Sequence, residues 1–246
     1  MSGPTRDLFA PDEAQPEAPS LERIAPGVMW LRGWAGPQAP QLLADVALVL
    51  AQAPLRHMVT PGGFRMSVAM SNCGALGWVT DHTGYRYAPL DPVTGQPWPA
   101  MPPAFRTLAT QAALQAGFAD FEPDACLINR YAPGARMSLH QDRHERDFSQ
   151  PIVSVSLGLP AVFLFGGALR SERPLRLPLA HGDVVVWGGP ARLRFHGVLA
   201  LKDGQHALTG AYRLNLTFRL GRWPGGGAAK PSAADQMPCL LTPQSI

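Results

Sequence analysis

The sequence predicts a mainly β fold with flanking helices, built as a barrel or jelly roll. Short β-prone runs with turn residues between them follow one another from residue 124 onward, a spacing typical of such folds. Two segments of helical character precede these runs. The 26 prolines and 25 glycines cluster at the two ends and between short apolar runs, as many turns require.

The elements are predicted in chain order. Residues 40–53 begin with Pro and stay apolar on one face, which favours a helix. Residues 103–117 are Ala-rich and end on a Gly that suits a C-cap. Strands are predicted at residues 126–131, 152–159, 162–165, 175–179, 184–187, 195–201 and 212–220. The chain length predicts one domain, expected over residues 21–222 with its β core at about 124–220, between flexible tails at 1–20 and 223–246.

Composition narrows the class of protein. With 46% hydrophobic and 16% charged residues, the chain is neither disordered nor fibrous. The net charge of +3 and the pI near 9.0 permit a nucleic-acid partner. The three cysteines form no CxxC motif, and there is no signal peptide or membrane-spanning run. We therefore expect a cytoplasmic monomer that does not bind membranes.

The segment 60–101 is rich in loops and aromatic residues. It contains Trp78, Tyr85 and Tyr87 together with a Pro-rich stretch. Long loops inside a compact domain are often lids or binding loops, and exposed aromatic rings can stack on nucleobases. The alternative is that these rings pack the segment onto the core.

A candidate metal site comes from one short motif and one distant histidine. His140 and Asp142 are two residues apart, so in extended backbone both side chains point to the same side. His196 follows on a later predicted strand and can complete a triad of two histidines and one carboxylate. Such a triad leaves open positions on iron(II) for a co-substrate and dioxygen. The two-residue spacing by itself is weak support, because it is common by chance.

Residues 213–219 alternate strictly between polar and apolar side chains. Leu214, Leu216 and Phe218 lie on one face of the predicted strand, and two arginines, an asparagine and a threonine lie on the other. If the polar face points into the barrel, its two cations need anionic partners, and a dicarboxylate such as 2-oxoglutarate supplies them. The alternative is an ordinary solvent-facing strand.

These features together resemble the AlkB family of iron(II)- and 2-oxoglutarate-dependent oxidative demethylases of alkylated nucleic acids. The resemblance covers residues 56–219 and rests on long contiguous strings. They are TPGG at 60–63, MSVAM at 66–70, PDACLINRYAPGA at 123–135, HQD at 140–142, PIVSVSLGLP at 151–160, HGDVVVWGG at 181–189, His196, and the alternating run at 213–219.

The resemblance implies a double-stranded β-helix preceded by a nucleotide-recognition lid at about 56–101. It implies removal of N-methyl groups as formaldehyde, coupled to decarboxylation of 2-oxoglutarate and consumption of O2, with single-stranded DNA favoured and RNA as the alternative. The implied iron(II) ligands are His140, Asp142 and His196. The implied 2-oxoglutarate contacts are Asn129, Tyr131, Arg213, Asn215 and Arg219, with Arg213 on the distal carboxylate. The implied substrate contacts are Trp78, Tyr85, Tyr87 and Arg170, with Trp78 stacked on the damaged base.

One position departs from the family pattern. Two residues after Asp142 the family usually has an acidic residue that helps to read the methylated base, and here the residue is His144, followed by Glu145. We keep His144 among the expected substrate contacts, but the preferred base stays open. Two other classes also stay open: a related oxygenase with an RNA, nucleotide or protein substrate, and a non-catalytic module that binds alkylated bases. No catalytic residue beyond the metal centre is expected.

Overall fold

The structure is a computed structural model that describes residues 19–145 and 147–221. Over these residues the chain forms two α-helices and thirteen β-strands. The helices are α1 (Ala39–Gln52) and α2 (Pro103–Gln115). The strands are β1 (Ser20–Ala25), β2 (Val28–Arg32), β3 (Ala69–Gly74), β4 (Gly77–Asp81), β5 (Gly84–Ala88), β6 (Ala125–Tyr131), β7 (Met137–His140), β8 (Ile152–Gly158), β9 (Ala161–Phe165), β10 (Leu175–Leu179), β11 (Val184–Trp187), β12 (His196–Val198) and β13 (Arg213–Arg219).

The strands form two main antiparallel sheets and one hairpin. The larger sheet has the order β1-β2-β11-β8-β13-β6-β3, and the smaller one has the order β10-β9-β12-β7. β4 and β5 pair only with each other. Two facing sheets whose neighbouring strands are far apart in sequence are typical of a jelly roll. The predicted mainly β jelly-roll fold is therefore confirmed.

Two apolar cores hold these layers together. Helices α1 and α2 cover the outer face of the large sheet, where Leu42 and Phe105 pack with Val155 and Leu216. The second core lies between the two sheets and contains Phe163, Phe165, Val185 and Trp187. The central strands β8, β11 and β13 of the large sheet thus have two buried faces, one toward the helices and one toward the small sheet.

Strand β13 shows how this layering positions the candidate site. Its leucines and Phe218 belong to the core under the helices. Its four polar side chains are also buried, none more than 6% exposed, and they face the interior between the sheets. The solvent-facing interpretation of this strand is therefore wrong, because β13 lies between β6 and β8 in the middle of the large sheet.

The elements differ from the predictions in several places. Strands β4 and β5, inside the segment predicted to be loop-rich, and the four-residue strand β7 were not predicted. Strands β1 and β2 were not predicted, although Pro26 and Gly27 provide the turn between them. Strand β3 lies inside the segment predicted to be loop-rich, yet it forms an edge of the large sheet beside β6. Strand β12 covers only three of the seven residues predicted, because its pairing with β7 shifts register between His196 and Val198.

Most of the predicted tails lies outside the described residues. Within them, no helix is long and apolar enough to cross a membrane. Cys73 and Cys126 are register partners on β3 and β6, and both are buried and free.

Candidate active site

Three side chains converge where β7 and β12 pair. His140 ends β7 and is the register partner of His196 on β12, while Asp142 follows two residues after the end of β7. One ligand atom from each of these residues lies within 4.8 Å of the others. The Nε2 atom of each histidine is 3.7 Å from an oxygen of the Asp142 carboxylate. The structure thus brings together the three residues that the sequence predicts as a metal site.

The two imidazoles are oriented by main-chain carbonyls. Nδ1 of His140 donates to the Ser138 carbonyl at 2.8 Å, and Nδ1 of His196 donates to the Arg194 carbonyl at 3.1 Å. With Nδ1 protonated, the neutral ring presents the Nε2 lone pair toward the cluster, as a metal ligand must. Burial, and then the neighbouring His140, lower the pKa of His196 to about 3, so it is neutral at pH 7.

Arg219 fixes the carboxylate of Asp142. Its Nε atom donates to Oδ2 of Asp142 at 2.8 Å, and its Nη2 atom donates to the same oxygen. Burial alone would raise the pKa of Asp142, but Arg219 and then His196 hold it well below its usual range. The carboxylate is therefore ionised and able to act as a ligand. Sequence reasoning expected Arg219 to contact 2-oxoglutarate, and here its guanidinium already has partners within the chain.

Two further charged residues complete this network and were not predicted as site residues. Glu145 is 5% exposed and accepts a hydrogen bond from the Tyr87 hydroxyl at 2.6 Å. It also lies 3.4 Å from Nε of Arg219 and 3.3 Å from Nη2 of Arg192. Arg192 follows strand β11 by five residues, and no local pattern marks it. Arg192 can be recognised as a site residue only in the folded structure, because a buried arginine needs an anionic partner and only folding brings that partner near.

Arg213 is the one buried arginine in the described part of the chain that has no carboxylate partner. Its Nη2 atom donates to Ser156 Oγ at 3.0 Å, and the guanidinium lies 5.0 Å from the Tyr131 ring centroid. Its Nε and Nη1 atoms are buried without a hydrogen-bond partner. Burial lowers the pKa of this guanidinium. Unpaired donors on a buried cation are costly, and a dicarboxylate would satisfy them through charge-assisted bonds. The residues thus fit 2-oxoglutarate.

Polar side chains continue from Arg213 along the same face. Asn215 and Asn129 are register partners on β13 and β6, joined by a hydrogen bond of 3.2 Å, and Oδ1 of Asn129 keeps an unused buried lone pair. Tyr131 faces Arg213 across the same two strands. The structure thus brings four of the five expected co-substrate contacts into one row, with Arg219 at the far end of β13 beside Asp142.

An aromatic ladder is formed by Trp78 and Tyr85 of the β4–β5 hairpin and by His144 in the loop after β7. The Trp78 and Tyr85 rings are stacked with their centroids 5.8 Å apart, and Tyr85 lies 5.3 Å from His144. Burial lowers the pKa of His144. The ladder extends from the hairpin to the loop after Asp142, so its last ring is two residues from a candidate ligand. The alternative that these rings pack the segment onto the core holds for Trp78, which is partly buried against the core between the sheets, but not for Tyr85, which is 40% exposed.

Two other residues expected to contact the substrate, Tyr87 and Arg170, do not belong to the aromatic ladder. Tyr87 shares a hairpin face with Trp78, its register partner, but its hydroxyl is engaged by Glu145. Arg170 lies beyond strand β9, 5.9 Å from the Phe195 ring, where it lines a groove of about 430 Å³ with Arg136 and residues of β7 and β12. The groove begins at the strand that carries His140.

Comparison with known proteins agrees with this geometry. The model of the 2OG-Fe(II) oxygenase superfamily matches residues 27–219. Over 213 residues the chain is 59% identical to the alpha-ketoglutarate-dependent dioxygenase AlkB of Salmonella typhimurium and 58% identical to that of Escherichia coli, which covers 87% of this chain and 96% of each relative. This chain belongs to the AlkB family. The solved structure of OsALKBH1 is 28% identical and superposes with a TM-score of 0.71, covering 82% of this chain and all of that one.

Membership of the AlkB family establishes the cofactor chemistry. The chain is an alpha-ketoglutarate-dependent dioxygenase that uses iron(II), 2-oxoglutarate and O2. The triad of candidate ligand atoms matches the set of two histidines and one carboxylate that is typical of such iron sites. The predicted enzyme class and cofactors are confirmed.

Proposed function

We propose that this enzyme demethylates N-alkylated bases of the 1-methyladenine and 3-methylcytosine type in single-stranded DNA, releasing formaldehyde. Oxidative dealkylation of nucleic acids is the repair reaction of the AlkB family to which the chain belongs. The observation that carries the finer proposal is the aromatic ladder, because it connects an exposed stacking surface to the loop of Asp142. Bases stack on such rings irrespective of sequence.

The site geometry supports the following assignment of residue roles. We assign His140, Asp142 and His196 as the iron(II) ligands, and Arg213 as the partner of the distal carboxylate of 2-oxoglutarate, with Asn129, Tyr131 and Asn215 beside it. Iron(II) with dioxygen and 2-oxoglutarate supplies the oxidation. The chain orients these groups, and the burial of Arg213, Asn215 and His196 limits the access of water to them. Arg219 holds the Asp142 carboxylate and lies where it can also meet the co-substrate.

The substrate has to enter base first. A base inside a duplex cannot reach side chains as buried as His196 and Asp142, so a flipped or single-stranded nucleotide is required. Trp78 and Tyr85 provide the stacking surface, and His144 forms its inner end. Arg170 is exposed on the neighbouring rim, where it can pair with a phosphate. RNA is the second candidate substrate, because the aromatic ladder would contact the base and not the sugar, and it is the sugar that distinguishes RNA from DNA.

We further propose that the enzyme acts in the cytoplasm as a monomer. Cys73 and Cys126 are buried free thiols and register partners on adjacent strands. Two thiols in such neighbouring positions stay reduced in a reducing compartment such as the cytoplasm.

The test is a turnover assay with the iron-loaded enzyme. Single-stranded oligonucleotides carrying 1-methyladenine or 3-methylcytosine are incubated with and without 2-oxoglutarate, and mass spectrometry follows loss of the methyl group. We expect demethylation that requires 2-oxoglutarate and is abolished by Asp142→Ala. Asp120→Ala, which changes an exposed carboxylate after α2, is the matched control and keeps full activity.

The other outcomes separate the alternatives. Succinate formation without demethylation of DNA would reject this substrate and favour RNA, a nucleotide or a protein. Oligonucleotide binding without succinate, with iron shown to be bound, would favour a non-catalytic module. His144→Asp then tests base preference: an added carboxylate should raise the turnover of cationic methylated bases relative to neutral ones.

A further inference from the structure

Glu145 lies at the centre of a buried network of two carboxylates and two guanidiniums. It contacts Arg192, Arg219 and the Tyr87 hydroxyl at 3.3, 3.4 and 2.6 Å. Arg219 continues the network to the carboxylate of Asp142. The charges balance within it, which is the condition for holding four ions in the interior. Removing either carboxylate would leave an uncompensated buried cation.

Arg192 holds the loop that follows strand β7 at three points. Its Nη1 atom donates to the main-chain carbonyl of Asp142 at 2.9 Å, and its Nε atom donates to the Gln150 carbonyl at 2.9 Å. Its Nη2 atom forms the ion pair with Glu145. The guanidinium therefore fixes the beginning, the middle and the end of the loop that carries both a candidate ligand and the last ring of the aromatic ladder. Only a planar fork can make these three contacts at once.

The network also connects two parts of the fold that share no sheet. Tyr87 belongs to β5 of the hairpin, while Arg219 ends β13 in the large sheet. The path from Tyr87 to Asp142 joins a 2.6 Å hydrogen bond to Glu145, a 3.4 Å ion pair between Glu145 and Arg219, and a 2.8 Å charge-assisted hydrogen bond from Arg219 to Asp142. Charge interactions of this kind are strong in a water-poor interior. A shift of the hairpin therefore changes how the Asp142 carboxylate is held.

We propose that Glu145 and Arg192 are positioning residues that couple the hairpin to the metal-ligand carboxylate. A nucleic acid that seats on the hairpin then strengthens metal binding, and a bound metal strengthens nucleic-acid binding by the same factor, since such coupling is reciprocal. This inference rests on the proposed function, both for the ligand set and for the hairpin as the nucleic-acid surface.

The experiment measures Co(II) affinity by anaerobic titration, with and without a single-stranded 1-methyladenine oligonucleotide. The wild-type protein should bind Co(II) about fivefold more tightly when the oligonucleotide is present. Tyr87→Phe removes only the hydroxyl and should reduce this factor to about one. Glu145→Gln and Arg192→Lys should weaken Co(II) binding about tenfold without oligonucleotide and should also abolish the coupling.

Matched controls separate positioning from general damage. Tyr212→Phe removes the hydroxyl of a half-exposed tyrosine, and Glu122→Gln neutralises a carboxylate in an exposed pair with Arg106. Both should keep the wild-type Co(II) affinity and the full coupling factor. Because Glu145→Gln removes a buried charge and can prevent folding, Tyr87→Phe carries the test alone in that case.

The results that would overturn this inference differ from the results that would contradict the proposed function. Undiminished coupling in Tyr87→Phe, or Co(II) affinity within about twofold of wild type in folded Glu145→Gln, would overturn the inference. If Asp142→Ala leaves Co(II) affinity unchanged, the proposed ligand set fails and this inference falls with it. If wild-type protein binds no oligonucleotide, the substrate proposal fails and the coupling with it, while the tenfold effect of Glu145→Gln still tests the positioning role.

Discussion

Arg213 and Arg219 extend from the same face of one strand, yet their electrostatic surroundings differ. Arg219 meets Asp142 and Glu145 within the chain. Arg213 meets a hydroxyl and an aromatic ring and keeps two unpaired donors. A buried cation without a counterion is tolerated where a ligand supplies the counterion during function. The difference between two arginines six residues apart therefore distinguishes a binding group from a group that orients a metal ligand.

Arg213→Lys should raise the KM for 2-oxoglutarate about thirtyfold. Lysine keeps the charge but loses the paired donors, and a charge-assisted hydrogen bond is worth about 2 kcal/mol. Succinate formation at varied 2-oxoglutarate concentration measures the change. Arg176→Lys on the exposed edge strand β10 is the control and should keep the wild-type KM. An unchanged KM in Arg213→Lys would place the co-substrate elsewhere.

The metal-free protein should lose stability as the pH falls from about 6.5 toward 3. The pKa of His196 is lowered to about 3 in the folded protein, whereas an unfolded histidine titrates near 6.5, so in this window the unfolded chain binds one more proton. The expected slope from this group is about 1.4 kcal/mol per pH unit. Urea unfolding of metal-free protein at pH 5.5, 5.0 and 4.5, where the unfolded histidine is almost fully protonated, measures it. His196→Asn should show a shallower dependence by about that slope; an equal slope would mean that His196 is not responsible.

At the scale of elements, the β4–β5 hairpin depends on one close approach. A Cβ at Gly77 would overlap the indole of Trp98, whose Nε1 donates to the Ala88 carbonyl at the far end of β5. Trp98 thus supports the hairpin from below, and glycine at the start of β4 makes room for it. The position of the aromatic ladder is therefore set by a residue in the Pro-rich stretch outside the hairpin.

Gly77→Ala should destabilise the protein by about 2 kcal/mol, because the indole or the hairpin must shift. It should also raise the KM for the methylated oligonucleotide, since Trp78 is the next residue. Thermal unfolding and initial-rate measurements test the two effects. Gly36→Ala is the matched control, because a Cβ there meets no atom within 4 Å and the backbone is not left-handed. Equal stability of the two variants would contradict the support by Trp98.

At the scale of the whole molecule, a modest positive net charge favours the binding of a polyanionic substrate. The net charge is +3, and almost all basic residues are arginines. Each phosphate contact on a single strand contributes about −0.7 to the slope of log affinity against log salt concentration. Binding of the oligonucleotide should therefore weaken with salt, while binding of 2-oxoglutarate, which we propose occupies the buried polar row, should respond less.

Arg170→Ala should reduce the salt slope of oligonucleotide binding by about 0.7, which corresponds to one phosphate contact. Fluorescence anisotropy at several salt concentrations measures the slope. Arg32→Ala on strand β2, where the side chain pairs with Glu22, is the control and should keep the wild-type slope. A slope unchanged in Arg170→Ala would remove this residue from the nucleic-acid surface.

From the residues alone one can predict a barrel or jelly roll, a candidate ligand triad and the polar face of β13, and the resemblance to the AlkB family then selects the jelly roll. These conclusions depend on periodicity and on short motifs, which are local properties of a chain and can be read along it. The alternation at residues 213–219 predicted which side chains share a face, and the two-residue spacing of His140 and Asp142 predicted a shared side.

Which charged side chains meet becomes clear only in the folded chain. Glu145 and Arg192 are 47 residues apart along the chain, and no local pattern connects them. Likewise, the strand at Ala69–Gly74 was hidden in a loop-rich segment, because its role as a sheet edge depends on pairing with β6. A buried ion finds its counterion through the packing of distant strands, and the free energy of that pairing depends on burial, which a linear pattern does not contain.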